Sequence, residues 1–240
     1  MSRVVITADK LKKRKEQSRL ARIIVLILFI LFSLLYFILG IIYSGGRFTI
    51  TLDSSFGLDS GIILYENIEY KESKNRLYAS ELAFMDNISV NWIDDDVDNQ
   101  GDGAHNGDNY IAYTFYLENS GDENLNYWVE CIVDDVIKNV DEAIRIMIFL
   151  NGEKTIYAKE NSVTNAAEEN TEKFYSDTLP VLRKRENFKP GDIDKYTVVI
   201  WLEGDDPDCV DALIGGEIKM HMDIREEHIE QKGEWSDGEK

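Results

Sequence analysis

The sequence predicts a mainly β protein, an antiparallel β-sandwich of jelly-roll or Ig-like type preceded by one transmembrane α-helix. Three observations lead there. One stretch of 21 residues carries no charge, the runs that follow alternate apolar and polar residues, and Gly, Pro and Asn punctuate those runs.

The uncharged stretch is residues 23–43, IIVLILFILFSLLYFILGIIY. At about 1.5 Å per helical residue it covers a hydrocarbon core of roughly 30 Å. It is apolar all round, whereas a helix on the surface of a soluble domain shows a polar face. Residues 1–22 carry a net +6 against −19 for the whole chain, which leaves −25 beyond residue 22. Arg47 is the one cation near the far end, so the positive-inside rule puts the amino terminus in the cytoplasm. The competing reading is a cleaved signal peptide. The stretch exceeds the usual h-region of about 7–15 residues and no A-x-A site follows it, Ser44-Gly45-Gly46 being the small-residue alternative. A signal anchor is the expectation. The division is then a basic cytoplasmic tail (1–22), a membrane helix (23–43), an extracytoplasmic β-sandwich domain (47–224) and a polar tail (225–240).

Alternation marks the strands in order. Phe48, Ile50 and Leu52 form the first inward row, and residues 62–65 and 88–93 are weaker candidates. Ile111, Tyr113, Phe115 and Leu117 share a face, as do Tyr127, Val129, Cys131 and Val133. Ile144, Ile146, Ile148 and Leu150 lead into Asn151-Gly152, whose tolerance of positive φ predicts a tight hairpin with residues 155–158. Lys189-Pro190-Gly191-Asp192 suits a type II turn before the row Tyr196, Val198, Ile200, Leu202. A last row is Ile218, Met220, Met222 and Ile224. Two short helices are expected, one opening at Asn165 with capping-box spacing to Glu168, where a loose loop is the alternative. The other starts with Asp206 as N-cap and Pro207 at the first position and stops at Gly215-Gly216.

Chemistry is sparse. Residues 94–103 read DDDVDNQGDG, and Asp98, Gln100 and Asp102 imitate the start of an EF-hand loop. The twelfth position is Asn109 where a bidentate Glu would close the shell, so a solvated acidic turn competes with a calcium site built on Asp96, Asp98 and Asp102. A second acidic loop, residues 203–208, could add oxygen ligands. Cys131 and Cys209 permit one disulfide or two buried thiols, with Cys209 in the first helical turn, where the dipole would lower its pKa. His105, His221 and His228 form no zinc-protease motif, and neither a nucleophile elbow nor a phosphate-binding Gly loop occurs. Asn87-Ile88-Ser89 is a glycosylation sequon. Trp128 and Trp201 fall opposite the inward rows of their strands, and with Trp92 they read as packing under a loop or as an exposed aromatic surface for a partner or a glycan.

Residues 110–121 (YIAYTFYLENSG), 140–152 (VDEAIRIMIFLNG) and 196–209 (YTVVIWLEGDDPDC) resemble cell-surface proteins of Gram-positive, clostridia-like bacteria, loosely similar to the TasA and camelysin group. The resemblance covers residues 88–224 and rests on strand texture and the Trp-Leu-Glu-Gly loop. It implies a jelly-roll sandwich and kinship with matrix-fibre subunits. That group has a cleaved signal peptide where this chain has an anchor-like helix, and no camelysin metal motif transfers to these residues.

The expectation for function is a non-enzymatic surface protein with a structural, adhesive or assembly role, partnered by the lipid bilayer and by another protein or its own copies. Nucleic acid is excluded, because a domain at −25 repels phosphates. The alternatives are an extracytoplasmic metal- or carboxylate-dependent hydrolase and an accessory subunit of a membrane complex.

Overall fold

The structure, a computed structural model, describes residues 8–43, 48–53, 61–80, 82, 84–166 and 168–227. Two units divide the chain, residues 1–46 and 47–240.

In the first unit a single helix, α1 (Ala8–Tyr43), is long and apolar enough to cross a membrane. It starts well before the apolar stretch, because Lys, Arg, Gln, Glu, Leu and Ala are strong helix formers and nothing breaks the helix between residues 8 and 23. Its 36 residues span about 54 Å, more than a bilayer core of about 30 Å needs. Leucines, isoleucines and phenylalanines from Leu20 to Ile38 all face outward, exposed. Ser44-Gly45-Gly46, Arg47 and His228 lie outside the described residues.

Among the described residues of the second unit twelve strands follow: β1 (Thr49–Asp53), β2 (Ile62–Tyr65), β3 (Arg76–Tyr78), β4 (Gly103–Ala104), β5 (Tyr110–Asn119), β6 (Leu125–Ile137), β7 (Ile144–Leu150), β8 (Glu153–Ala158), β9 (Glu172–Lys173), β10 (Val181–Phe188), β11 (Ile193–Leu202) and β12 (Glu217–Glu227). Sheet A has the order β10-β6-β12-β1-β3. Sheet B has the order β2-β5-β11-β7-β8-β9, with β4 also on β5. From β5 onward the chain passes between the sheets (β5 in B, β6 in A, β7 and β8 in B, β10 in A, β11 in B, β12 in A), which is the nested crossing of a jelly roll.

The alternating rows meet as their spacing requires. Tyr196, Val198 and Ile200 of β11 lie opposite Phe115, Tyr113 and Ile111 of β5 on one side and Leu150, Ile148 and Ile146 of β7 on the other. Across the sandwich, Met220, Met222 and Ile224 of β12 pair with Val133, Cys131 and Val129 of β6. These residues form one continuous core between the sheets. Asn151 (φ 53°) and Gly152 (φ 86°) make the tight turn between β7 and β8, and Gly191 (φ 82°) turns the chain from β10 in sheet A to β11 in sheet B.

Four expectations change. Both sheets are mixed, because β1 runs parallel to β12 and β9 parallel to β8. Alternation reports which face a residue occupies and carries no information on strand direction. β12 continues to Glu227, so residues 225–227 belong to the sheet and not to a tail. The helix expected from Asp206 is only a 3-10 turn at Asp211–Leu213. Asp206 does make the bond of an N-cap, its Oδ1 accepting from the Asp208 amide and its carbonyl from the Cys209 amide, while its Oδ2 accepts from buried Arg145, but the turn it opens does not continue as an α-helix. The Asn165 segment likewise forms turns, with Asn165 itself at φ 53°.

Candidate binding cleft

The outer face of sheet B is not solvated. Residues facing away from the main core, namely Met147 and Phe149 of β7, Val199 and Trp201 of β11 and Ala112 of β5, form a second apolar cluster with Ile88, Ile93 and Val97. The segment bearing those three residues crosses the sheet as an irregular strap. Ile88 bridges to Glu203, and a 3-10 turn at Val90–Trp92 replaces the strand expected there. Buried Glu203 ties the strap down, its Oε2 accepting from the Val90 amide and from the Trp201 indole N–H at 3.0 Å each. His105 holds the strap's far end, both ring nitrogens lying about 3 Å from the Gly103 and Val97 carbonyls.

Between this strap and β8 lies a cleft of about 530 Å³. Met147, Phe149 and Ile156 make its floor, Asn91, Ile93, Asp94 and Asp95 one wall, and Asn170, Thr171 and Glu172 the other, with Lys154 and Thr155 alongside. Asp94 is engaged by the Asp96 amide and the Gln100 carboxamide. Among the described residues, the side chains of Asp95, Lys154, Asn170 and Glu172 form no hydrogen bond or ion pair. Trp92, in the turn whose neighbours line the cleft, is 74% exposed.

Beside the floor, two residues before Met147, Arg145 is 1% exposed and pairs with Asp206 and Glu168 while donating to its neighbour's carbonyl. Asp206 is as buried as the guanidinium, and Glu168 is half-buried, its pKa raised by desolvation against the pull of Arg145. Asp208 accepts from both the amide and the hydroxyl of Ser162, which lowers its pKa. These contacts join the 203–208 loop and the 161–172 loop to the sheet, and so position one cleft wall. The second acidic loop is a brace.

The three residues expected to bind calcium are not gathered into one site, although Asp96 and Asp98 share the Asn99 carboxamide as donor. Asp102 accepts from the Tyr116 hydroxyl and the Ile68 amide, Asp96 accepts from the Asn99 carboxamide, and Asp98 is buried in a 3-10 turn. Among the described residues no group of three or more His, Cys, Asp or Glu is placed to hold a metal ion. Both cysteines are free thiols: Cys131 lies in the main core, and Cys209 sits half-buried against the Asn87 carboxamide. Burial pushes the Cys131 thiol up to about 12. Cys209, with no helix dipole behind it, is raised by burial and by Asp206 and Glu203, opposite to the expected lowering. His221 rests on Asp134, away from the cleft. Of the tryptophans, Trp201 is buried under the strap, Trp128 is half-buried with the Lys184 ammonium 5.4 Å from its ring, and Trp92 alone of the three stands in solvent.

No family model matches the chain. No curated relative matches it either. Among solved structures, a beta-glucosidase from Kluyveromyces marxianus in complex with glucose shares 14% identity and a TM-score of 0.24, covering 72% of this chain and 17% of that one. The chain thus spans less than a fifth of that enzyme, and at this score the likeness carries no argument about fold or activity.

Sequence reasoning missed Arg145 and the cleft residues Lys154, Asn170 and Glu172. Arg145 lies between the inward residues Ile144 and Ile146, on the opposite face of β7, the side read as solvent. The only available signal was that its neighbours on that face, Met147 and Phe149, are apolar too.

Proposed function

We propose that this chain is a non-enzymatic surface protein, anchored by α1 with its amino terminus in the cytoplasm, which displays the jelly-roll domain outside the membrane to bind a surface component or to assemble with further copies. The observation that carries the reading is the partition within one continuous helix. Basic residues precede an apolar stretch with outward-facing side chains, and an acidic domain follows. The resemblance of residues 88–224 to Gram-positive cell-surface proteins supports the same reading. Strand addition at a sheet edge is one route to assembly; among the described residues β10 is the longest edge strand, and its Lys and Arg residues discourage indiscriminate pairing.

Single cysteines test the topology. In a chain lacking Cys131 and Cys209, a cysteine at exposed Val163 (Val163→Cys) is expected to react with a membrane-impermeant maleimide on wall-stripped cells. One at Ser18 (Ser18→Cys) is expected to react only after permeabilisation. The reverse pattern would overturn the orientation, and recovery of the intact chain as a soluble protein would overturn the anchor.

A further inference from the structure

We propose that the cleft on the outer face of sheet B is a binding site for a neutral saccharide. The inference rests on the display reading, which sets the cleft among surface glycans. A sugar ring offers two kinds of surface at once: hydroxyls that both donate and accept, and a face of C–H groups that is apolar. The cleft offers the complement of each.

Its floor of Met147, Phe149 and Ile156 is apolar, while the groups around it include acceptors (the carboxylates of Asp95 and Glu172) and donors (the Lys154 ammonium and the Asn170 amide). None of these four side chains has a hydrogen bond or ion pair among the described residues, so each can meet a ligand without breaking an internal contact. The volume of about 530 Å³ falls within the range of small-molecule sites, roughly 300–1,000 Å³.

Trp92 adds the stacking surface. Val90 and Ile93, one 3-10 turn apart, pack on the second cluster, and the Val90 amide is fixed by Glu203. Residues 91 and 92 are therefore held outward by a short anchored turn, with Asn91 in the cleft wall and the indole of the next residue exposed to solvent. An aromatic ring held this way contributes contact area with little ordering cost.

Other ligand classes fit less well. A phosphate or nucleotide would face Asp94, Asp95 and Glu172 against Lys154 alone. A cationic peptide would satisfy those carboxylates but would leave the Lys154 and Asn170 donors opposed or unused.

The test uses the full chain in lipid nanodiscs, free of glycoside detergents. Cellotetraose, chitotetraose and maltotetraose are titrated by calorimetry and by indole fluorescence, with tetralysine as the cationic probe. At least one tetrasaccharide should bind at millimolar concentration or tighter. Trp92→Ala, or Asp95→Asn with Glu172→Gln, should weaken it about tenfold or more at an unchanged melting temperature. Three results would each overturn the proposal: no saccharide binding up to several millimolar, binding indifferent to both variants, or saturable binding of tetralysine alone. None of them touches the topology, which the cysteine labelling reads separately.

Discussion

At the scale of single residues, the most consequential side chain is Arg145. Its partner Asp206 is equally buried, so removing the guanidinium strands a carboxylate in an apolar setting. Arg145→Ala is expected to lower stability by about 3–5 kcal/mol in urea unfolding. A loss below about 1 kcal/mol would mean that water reaches the pair. The thiols give a second prediction. Native protein should react with a thiol reagent slowly at Cys209 and not measurably at Cys131, and rapid labelling of Cys131 would contradict its burial. Cys131 also sets a pH dependence. Its folded pKa, about 12, lies above its ordinary value of 9.0, so its contribution to stability is complete below about pH 9 and drains as the pH climbs towards 12. Tyr113, Tyr127 and Tyr196 are raised too, burial being the largest cause for each. The urea midpoint should therefore fall between about pH 8 and about pH 10.5; a flat profile would count against the buried placement of these groups.

At the scale of elements, the strands follow from alternation and the turns from backbone chemistry. The β7–β8 turn needs positive φ at both central positions, which Asn151 tolerates and Gly152 adopts freely. Gly152→Ala should cost about 1–2 kcal/mol, because a Cβ disfavours the left-handed region even though nothing crowds the site. In the core, Phe115 stacks on Tyr196 with ring centroids 5.3 Å apart and is fully buried. Phe115→Ala should cost about 3–5 kcal/mol by leaving a cavity, as thermal or urea unfolding would show. At Asp206 the local capping signal holds, its Oδ1 accepting from the Asp208 amide, yet only a short turn follows, and the other oxygen is held by an arginine 61 residues earlier in the chain, a contact that local rules do not contain.

For the whole molecule, the prediction is that the β domain owes its fold to its own two apolar clusters and not to α1. A chain beginning at residue 47 should be soluble and keep the melting temperature of the full-length protein, while the full chain should resist extraction from membranes by high salt. Aggregation or unfolding of the shorter chain would show that the helix does more than anchor.

The apolar helix, the main strands, the inward rows and the β-sandwich class could all be read from residue order, because hydrophobic period and turn chemistry act over a few neighbours. Strand partners and direction, the strap over sheet B, the burial of Trp201 and Arg145, and the cleft with Asp95, Lys154, Asn170 and Glu172 around it were decided only by the tertiary structure. A period-two pattern marks a residue's face but cannot tell whether that face meets water or a distant segment folded across it.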